Sequence, residues 1–314
     1  MKASASQSSS SPSTGSEPSN ALATGAALLT TLIWGTTWAG ILFSHQGYPP
    51  FLGLSLRFVT GGLVLLAVGA LLRVPIRPDR RLFAMWLTQA VCAFGISYGV
   101  VYWAEQWVPS GLTSVLFSSL PLFVTLFSFF LLPVERLDRW GLSGILLGFI
   151  GISIIFSDDL GALSDPQVRF ASFVLLIAPV SAGFAQVVVK RWGHGYHSLT
   201  LTAAPMFCSG LFMGLVSRVV EADKPVTGGL IPTLAVLYLA LFGSALAFGL
   251  FFWLLQHITA IRLSLVAYGA PVVAVAIGTV FLNEPLTGRM ILGAIAVLAG
   301  VGFVATPRKA AAKD

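Results

Sequence analysis

SVLFSSLPLFVTLFSFFLLPVERL, residues 114–137, leads into GILLGFIGISI at 144–154. The pattern returns further along as SLVAYGAPVVAVAIGTVFLNEPL at 264–286, leading into GAIAVLAGVGF at 293–303. At an offset of 150, Gly99, Trp103, Gln106, Ser114, Pro121 and Leu132 fall on Gly249, Trp253, Gln256, Ser264, Pro271 and Leu282. At 149 the match continues, Glu135 on Glu284, Leu137 on Leu286, Gly144 on Gly293 and Gly151 on Gly300. Any one identity between apolar stretches is weak. An ordered set of Trp, Gln, Pro and Glu in register is strong, so the chain is built from two related halves.

The composition says where those halves live. Of 314 residues 10% are charged and 56% hydrophobic, against about 25% charge in an ordinary soluble domain. A helix needs about 20 mostly apolar residues to cross the hydrocarbon core. Ten such runs fall at roughly 21–43, 50–72, 82–104, 109–132, 140–156, 168–190, 200–220, 232–254, 259–282 and 287–305. The predicted fold is all-α and polytopic, in the lipid bilayer. Its units are 21–156 and 168–306, each of five spans, behind a Ser-rich tail at 1–20 that has no apolar face and is expected to be disordered. The first apolar run is too long for the core of a signal peptide.

With the N-terminus placed in the cytoplasm, thirteen Lys and Arg fall in inside segments, among them Arg73, Arg77, Arg80, Arg81, Arg136, Arg139, Lys190, Arg191 and Arg262. Four fall outside: Arg169, Arg218, Lys224 and Arg289. That asymmetry puts both termini in the cytoplasm. It also reads the net charge of +6 as orientation in a membrane and not as affinity for nucleic acid. Five spans per half forces the second copy to enter from the opposite face. Inverted repeats of this kind recur in transporters, where two similar halves rock to open alternately on either side.

The paired runs quoted above, with TLIWGTTWAG at 31–40 in the first span, resemble the paired EamA domains of the drug/metabolite transporter superfamily. The resemblance covers nearly everything from Ala21 to Thr306. It implies ten helices around a central cavity, with the fifth and tenth spans peripheral, in the inner membrane of a bacterial cell. It also implies export of a small molecule, since most bacterial relatives with this domain pair are described as exporters. Members move amino acids, other metabolites and drugs, so the substrate stays open, with amino acids or related compounds favoured.

Polar groups at membrane depth are costly unless they pair or face water, so they mark cavities or contacts between helices. Ser114, Ser118, Pro121, Thr125 and Ser128 form one stripe, and Ser264, Tyr268 and Pro271 form its repeat counterpart. From these Ser118, Ser264 and Tyr268 are candidate substrate contacts, the serines having close helix packing as an equal alternative. Trp34 and Trp38 lie deep in the first span; Tyr98 and Tyr102 are one turn apart in the third, Tyr102 near the level where an interfacial aromatic belt is expected. Arg57 is the one charge well inside a span, and its fork suits a carboxylate. Pairing with Glu105 or snorkelling is the competing reading. Gly144 and Gly148 give a GxxxG spacing in the fifth span, for which packing inside the chain leads and a homodimer is the alternative.

Other classes fare poorly. No HExxH stands in the sequence, and His45, His194, His197 and His257 lie at span ends or in loops, so a hydrolytic or metal site is not expected, nor any cofactor. No GxxxxGK[ST] stretch marks a nucleotide site. Cys92 and Cys208 sit in apolar runs without partners. No Asp or Glu lies mid-span, which disfavours coupling through a carboxylate in the first span and leaves facilitated movement or coupling through Glu105. The runners-up are a drug or other metabolite efflux carrier and a lipid-translocating or channel-like protein.

Overall fold

The computed structural model describes residues 20–305 apart from 77, 135–137, 158 and 282–286. The expected tail, but for Asn20, and the matched Glu135 and Glu284 lie outside the described residues. The regular elements are helices. In chain order they are α1 (Asn20–His45), α2 (Pro50–Leu71), α3 (Arg80–Ala104), α4 (Ser110–Leu131), α5 (Arg139–Ile155), α6 (Pro166–Trp192), α7 (Ser198–Val220) and α8 (Leu230–His257). Then come α9, in two pieces (Ala260–Ser264 and Val266–Phe281), and α10 (Gly288–Ala305). Among the described residues seven helices, α1–α4 and α6–α8, are long and apolar enough to cross a bilayer; α5 and the stretches Ala260–Val273 and Gly288–Val304 are apolar but shorter.

Local chemistry sets the helix starts. Asp79, Asp138, Asp165 and Thr259 accept hydrogen bonds from free backbone N–H groups of the first turn, Asp79 from Leu82 at 2.7 Å and Asp138 from Gly141 at 2.8 Å. Pro50 and Pro166 occupy the first helical position, where a missing N–H is harmless. Asp79 also accepts the Tyr196 hydroxyl at 2.6 Å, tying the start of α3 to the loop between α6 and α7. Large apolar side chains such as Leu63, Phe129, Phe130, Phe173 and Leu215 face outward, as helices in lipid allow because their backbone groups are satisfied internally.

Two antiparallel glycine seams bring helices close. A Cβ on Gly62 of α2 would meet the Phe207 backbone of α7 at 2.7 Å, and one on Gly210 would meet the Val59 nitrogen at 2.6 Å. Between α5 and α10, Gly144 lies on Gly300 and Gly151 on Gly293. The glycine face of α5 is therefore covered by α10 of the same chain. Around these seams α1 packs on α8 and α9, while α6 packs on α3 and α4. The contacts recur when the two halves are exchanged.

Both α3 and α8 widen in mid-course into π-helical turns, at Gln89–Ser97 and Leu241–Leu246. At an offset of 150 the second falls on 91–96. Such turns release backbone carbonyls and concentrate at functional sites. Here Gly243 O accepts the Trp34 indole N–H at 3.2 Å and Cys92 O accepts the Ser181 hydroxyl at 2.8 Å. In each case the first long helix of one half reaches the widened helix of the other.

Candidate functional site

A cavity of about 90 Å³ lies among α1, α3, α4, α6, α8 and α9. Aromatic rings dominate its wall: Trp34, Trp38, Tyr98, Phe117, Phe248, Phe251 and Phe252. They support one another edge to face, Trp34 against Phe248 at 5.2 Å, Trp38 against Phe117 at 5.8 Å and Tyr98 against Phe248 at 5.8 Å between ring centres. The polar part comes from Thr37, Gln89, Ser114, Ser118 and Gln186. Among the described residues that line it none is charged.

Three of the polar groups are unusual. Both carboxamide atoms of Gln89, the hydroxyl of Ser114 and the indole nitrogen of Trp38 are buried without a hydrogen-bond partner. An unpaired buried amide or hydroxyl costs about 1–3 kcal/mol, so a group left in that state inside a cavity is one a ligand can satisfy. Gln186, by contrast, donates to Ala260 O at 2.7 Å. Ser118 donates to Ser114 O at 2.7 Å, closing the turn before Pro121, and reaches Ala267 O at 3.4 Å.

Of the residues singled out from sequence, Trp34, Trp38, Tyr98 and Ser118 line this cavity. Arg57, Tyr102, Ser264 and Tyr268 are not in that lining. Arg57 is fully buried one layer behind it. It donates from Nε to Ser244 Oγ at 2.7 Å, from Nη2 to Gly243 O at 3.2 Å and from Nη1 to the Tyr102 hydroxyl at 3.4 Å. Its guanidinium carbon stands 4.9 Å from the Tyr98 ring centre, so it backs a cavity residue without entering the cavity. Tyr268 turns toward α5, where its hydroxyl donates to Ile145 O at 2.7 Å, and Ser264 bonds back to Ile261 O.

Gln89, Gln186 and the phenylalanines of α8 carry no flag in the sequence. A phenylalanine in an apolar run looks the same whether it faces lipid or a cavity. Only Gln89 offers a signal in hindsight, an uncharged amide nine residues into α3.

Packed helices long enough and apolar enough to span a bilayer, around a small aromatic cavity with unsatisfied polar groups, fit a multi-pass membrane protein with an internal site. The model of the EamA-like transporter family matches twice, over residues 22–157 and 169–306, and the chain belongs to that family. An uncharacterized inner membrane transporter, YedA of Escherichia coli strain K12, is 31% identical over 84% of each chain. The uncharacterized transporter YoaV of Bacillus subtilis is 27% identical over 86% of this chain and 92% of its own. Protein PecM of Dickeya dadantii is 28% identical over 87% and 88%. A crystal structure of another protein superposes with a TM-score of 0.76 at 20% identity, covering 90% of this chain and 97% of that one; at that identity the likeness is one of fold.

Proposed function

We propose that the chain is an alternating-access exporter of small metabolites in the inner membrane. On this reading ten helices form two inverted five-helix repeats, 21–156 and 168–306, with both termini in the cytoplasm. The antiparallel seams of α2 with α7 and α5 with α10, and the exchange of contacts between halves, support the inverted arrangement. Two halves that share one cavity can expose it to either face in turn.

The observation that carries the substrate reading is the set of unpaired groups on Gln89, Ser114 and Trp38 in an aromatic wall with no charge among the described lining residues. Such a wall suits an apolar or aromatic body with a polar end; for a net-neutral amino acid, the Gln89 carbonyl and aromatic faces would take the ammonium, and the donors of Gln89, Ser114 and Trp38 the carboxylate. Trp34, Trp38, Tyr98 and Ser118 then touch the solute, with Gln89 and Ser114. Arg57 and Tyr102 position Tyr98, and Ser264 and Tyr268 hold α9. The weakly polar lining also suits an uncharged drug, which is the second reading.

A counterflow screen in proteoliposomes tests this, with labelled neutral amino acids, uncharged aromatic compounds and cationic drugs. Exchange of net-neutral amino acids is expected. Exchange of uncharged drugs alone favours the second reading, and exchange confined to cationic drugs rejects the neutral-solute assignment.

A further inference from the structure

At the His45 end of α1 a second cavity, about 560 Å³, opens between the loop from α1 to α2, the end of α3 and the segment after α7. Its wall includes His45, Tyr48, Glu105, Gln106 and Lys224. Glu105 follows directly on the last residue of α3 and is 5% exposed, and neither of its carboxyl oxygens has a hydrogen-bond partner. Glu221, three residues before Lys224, is as deeply buried but is fully used. It accepts from the Phe51 and Leu52 backbone nitrogens at 3.1–3.2 Å and stands 3.9 Å from Lys224 Nζ. Glu221 holds structure together; Glu105 holds nothing.

Between Glu105 and the central cavity stands Tyr102, one turn earlier on α3. Its ring packs against His45 at 5.5 Å, and its hydroxyl takes the longest of the Arg57 hydrogen bonds, 3.4 Å. The other ends of the Arg57 fork hold two neutral acceptors in the widened turn of α8, Gly243 O and Ser244 Oγ. The ionisable groups facing Glu105 are His45 from α1, Tyr48 from the loop that follows and Lys224 beyond α7 in the same wall, with Arg57 from α2 and Tyr102 from its own helix acting on it. Lys224 is already engaged by Gln106 Oε1 at 2.9 Å. His45, in the same wall, becomes a cation only by taking up a proton, so Arg57 is the standing cation available to an ionised Glu105.

We propose that the Glu105 carboxyl is a proton-binding site loaded from this vestibule, and that its ionisation draws Arg57 away from α8 and so transmits the proton's presence to the central cavity. A buried carboxyl that accepts no hydrogen bond is held as the neutral acid, the form that suits the arrangement described. When it gives its proton to vestibule water, the O–H bond breaks and the electron pair stays on the carboxylate. The new charge then competes for Arg57. The Arg57 bonds to Gly243 O and Ser244 Oγ pair a cation with neutral acceptors, whereas the carboxylate adds a full opposite charge in a buried, weakly screened setting, so it draws the guanidinium from Gly243 O and Ser244 Oγ. That loosens the tie between α2 and α8 and removes the cation from the face of Tyr98, which lines the cavity. This rests on the carrier reading only for its consequence, that a proton gradient enters the transport cycle here.

The test is infrared difference spectroscopy on the full chain in lipid nanodiscs, titrated with acid and base in H₂O and D₂O. Wild type should show a protonated-carboxyl band that Glu105→Gln abolishes. Arg57→Gln removes the cation that stabilises the ionised form, so the pH at which the band disappears should rise by about one unit, a tenfold change in proton affinity. Should that variant not fold, Tyr102→Phe, which frees Arg57 Nη1 from its neutral acceptor, should move the midpoint the other way, to lower pH. No band in wild type, a band that survives Glu105→Gln, or a midpoint unmoved by loss of Arg57 or of the Tyr102 hydroxyl overturns the proposal. The counterflow screen reports separately: a normal titration without solute exchange sinks the carrier and leaves the proton site standing.

Discussion

Gly144 of α5 lies on the backbone of Gly300 of α10, so close that a Cβ added at Gly144 would stand 2.7 Å from the Gly300 carbonyl oxygen. The repeat counterpart of Gly144 is Gly293 and that of Gly300 is Gly151, and those two also touch. The contact maps onto itself when the halves are exchanged, on antiparallel helices, as the proposed inverted arrangement requires. It also explains the spacing: a larger side chain at any of the four positions separates the backbones.

Gly144→Val should therefore destabilise the protein by roughly 1–3 kcal/mol, the usual penalty for overpacking a closed contact. Thermal unfolding in detergent reads the loss. Gly25→Ala is the control, since nothing stands within 4 Å of an added Cβ there; it should be neutral or slightly stabilising. Equal unfolding temperatures for Gly144→Val and wild type would remove the seam from the account.

Gln89→Leu separates function from stability. Both ends of the Gln89 side chain are buried and unpaired, so an apolar replacement should leave the unfolding temperature unchanged or raise it. Binding of the solute should weaken about tenfold, the worth of about one hydrogen bond lost to a buried group. Counterflow at limiting solute concentration checks it. Undiminished exchange would take Gln89 out of the site.

Arg57→Ala orphans Ser244 Oγ and the Tyr102 hydroxyl, and should cost roughly 3 kcal/mol at about 1–3 kcal/mol per group. Arg57→Lys keeps the charge but not the fork, so it should recover part of the stability. If Arg57 instead contacts solute directly, the unfolding temperature of Arg57→Ala should hold while affinity collapses.

The clamp between Asp79 and Tyr196 gives a pH dependence outside the membrane. Donation from the Tyr196 hydroxyl, helped by the Leu82 backbone N–H, holds the Asp79 carboxyl below its ordinary value of 3.8. A depressed folded-state value means that the contribution is present above 3.8 and disappears as pH falls through the lower, folded value. The unfolding temperature difference between wild type and Tyr196→Phe should be constant near neutrality and shrink below pH 4 (about the unperturbed aspartate value). A difference that grows on acidification contradicts the clamp.

Much of the fold was legible because the bilayer leaves few options: runs of apolar residues become helices, and the ordered matches from Gly99 to Gly300 expose the duplication. The site was legible only in part. Buried polar residues announce that they need partners but not which ones they find. Trp34, Trp38, Tyr98 and Ser118 face the cavity, whereas Arg57 and Tyr268, of equal promise in the sequence, find Ser244 Oγ and Ile145 O. The widened turns of α3 and α8 depend on tertiary packing and leave no composition signal at Gln89–Ser97 or Leu241–Leu246.

The inverted arrangement of the halves is most directly tested on a repeat-equivalent pair, Gln106 after α3 and Gln256 near the end of α8. In a chain whose Cys92 and Cys208 are replaced by serine, Gln106→Cys and Gln256→Cys are each exposed to a membrane-impermeant maleimide on whole cells and on inside-out vesicles. An inverted arrangement predicts labelling of Gln106→Cys on cells and of Gln256→Cys on vesicles. Labelling of both from the same side contradicts it.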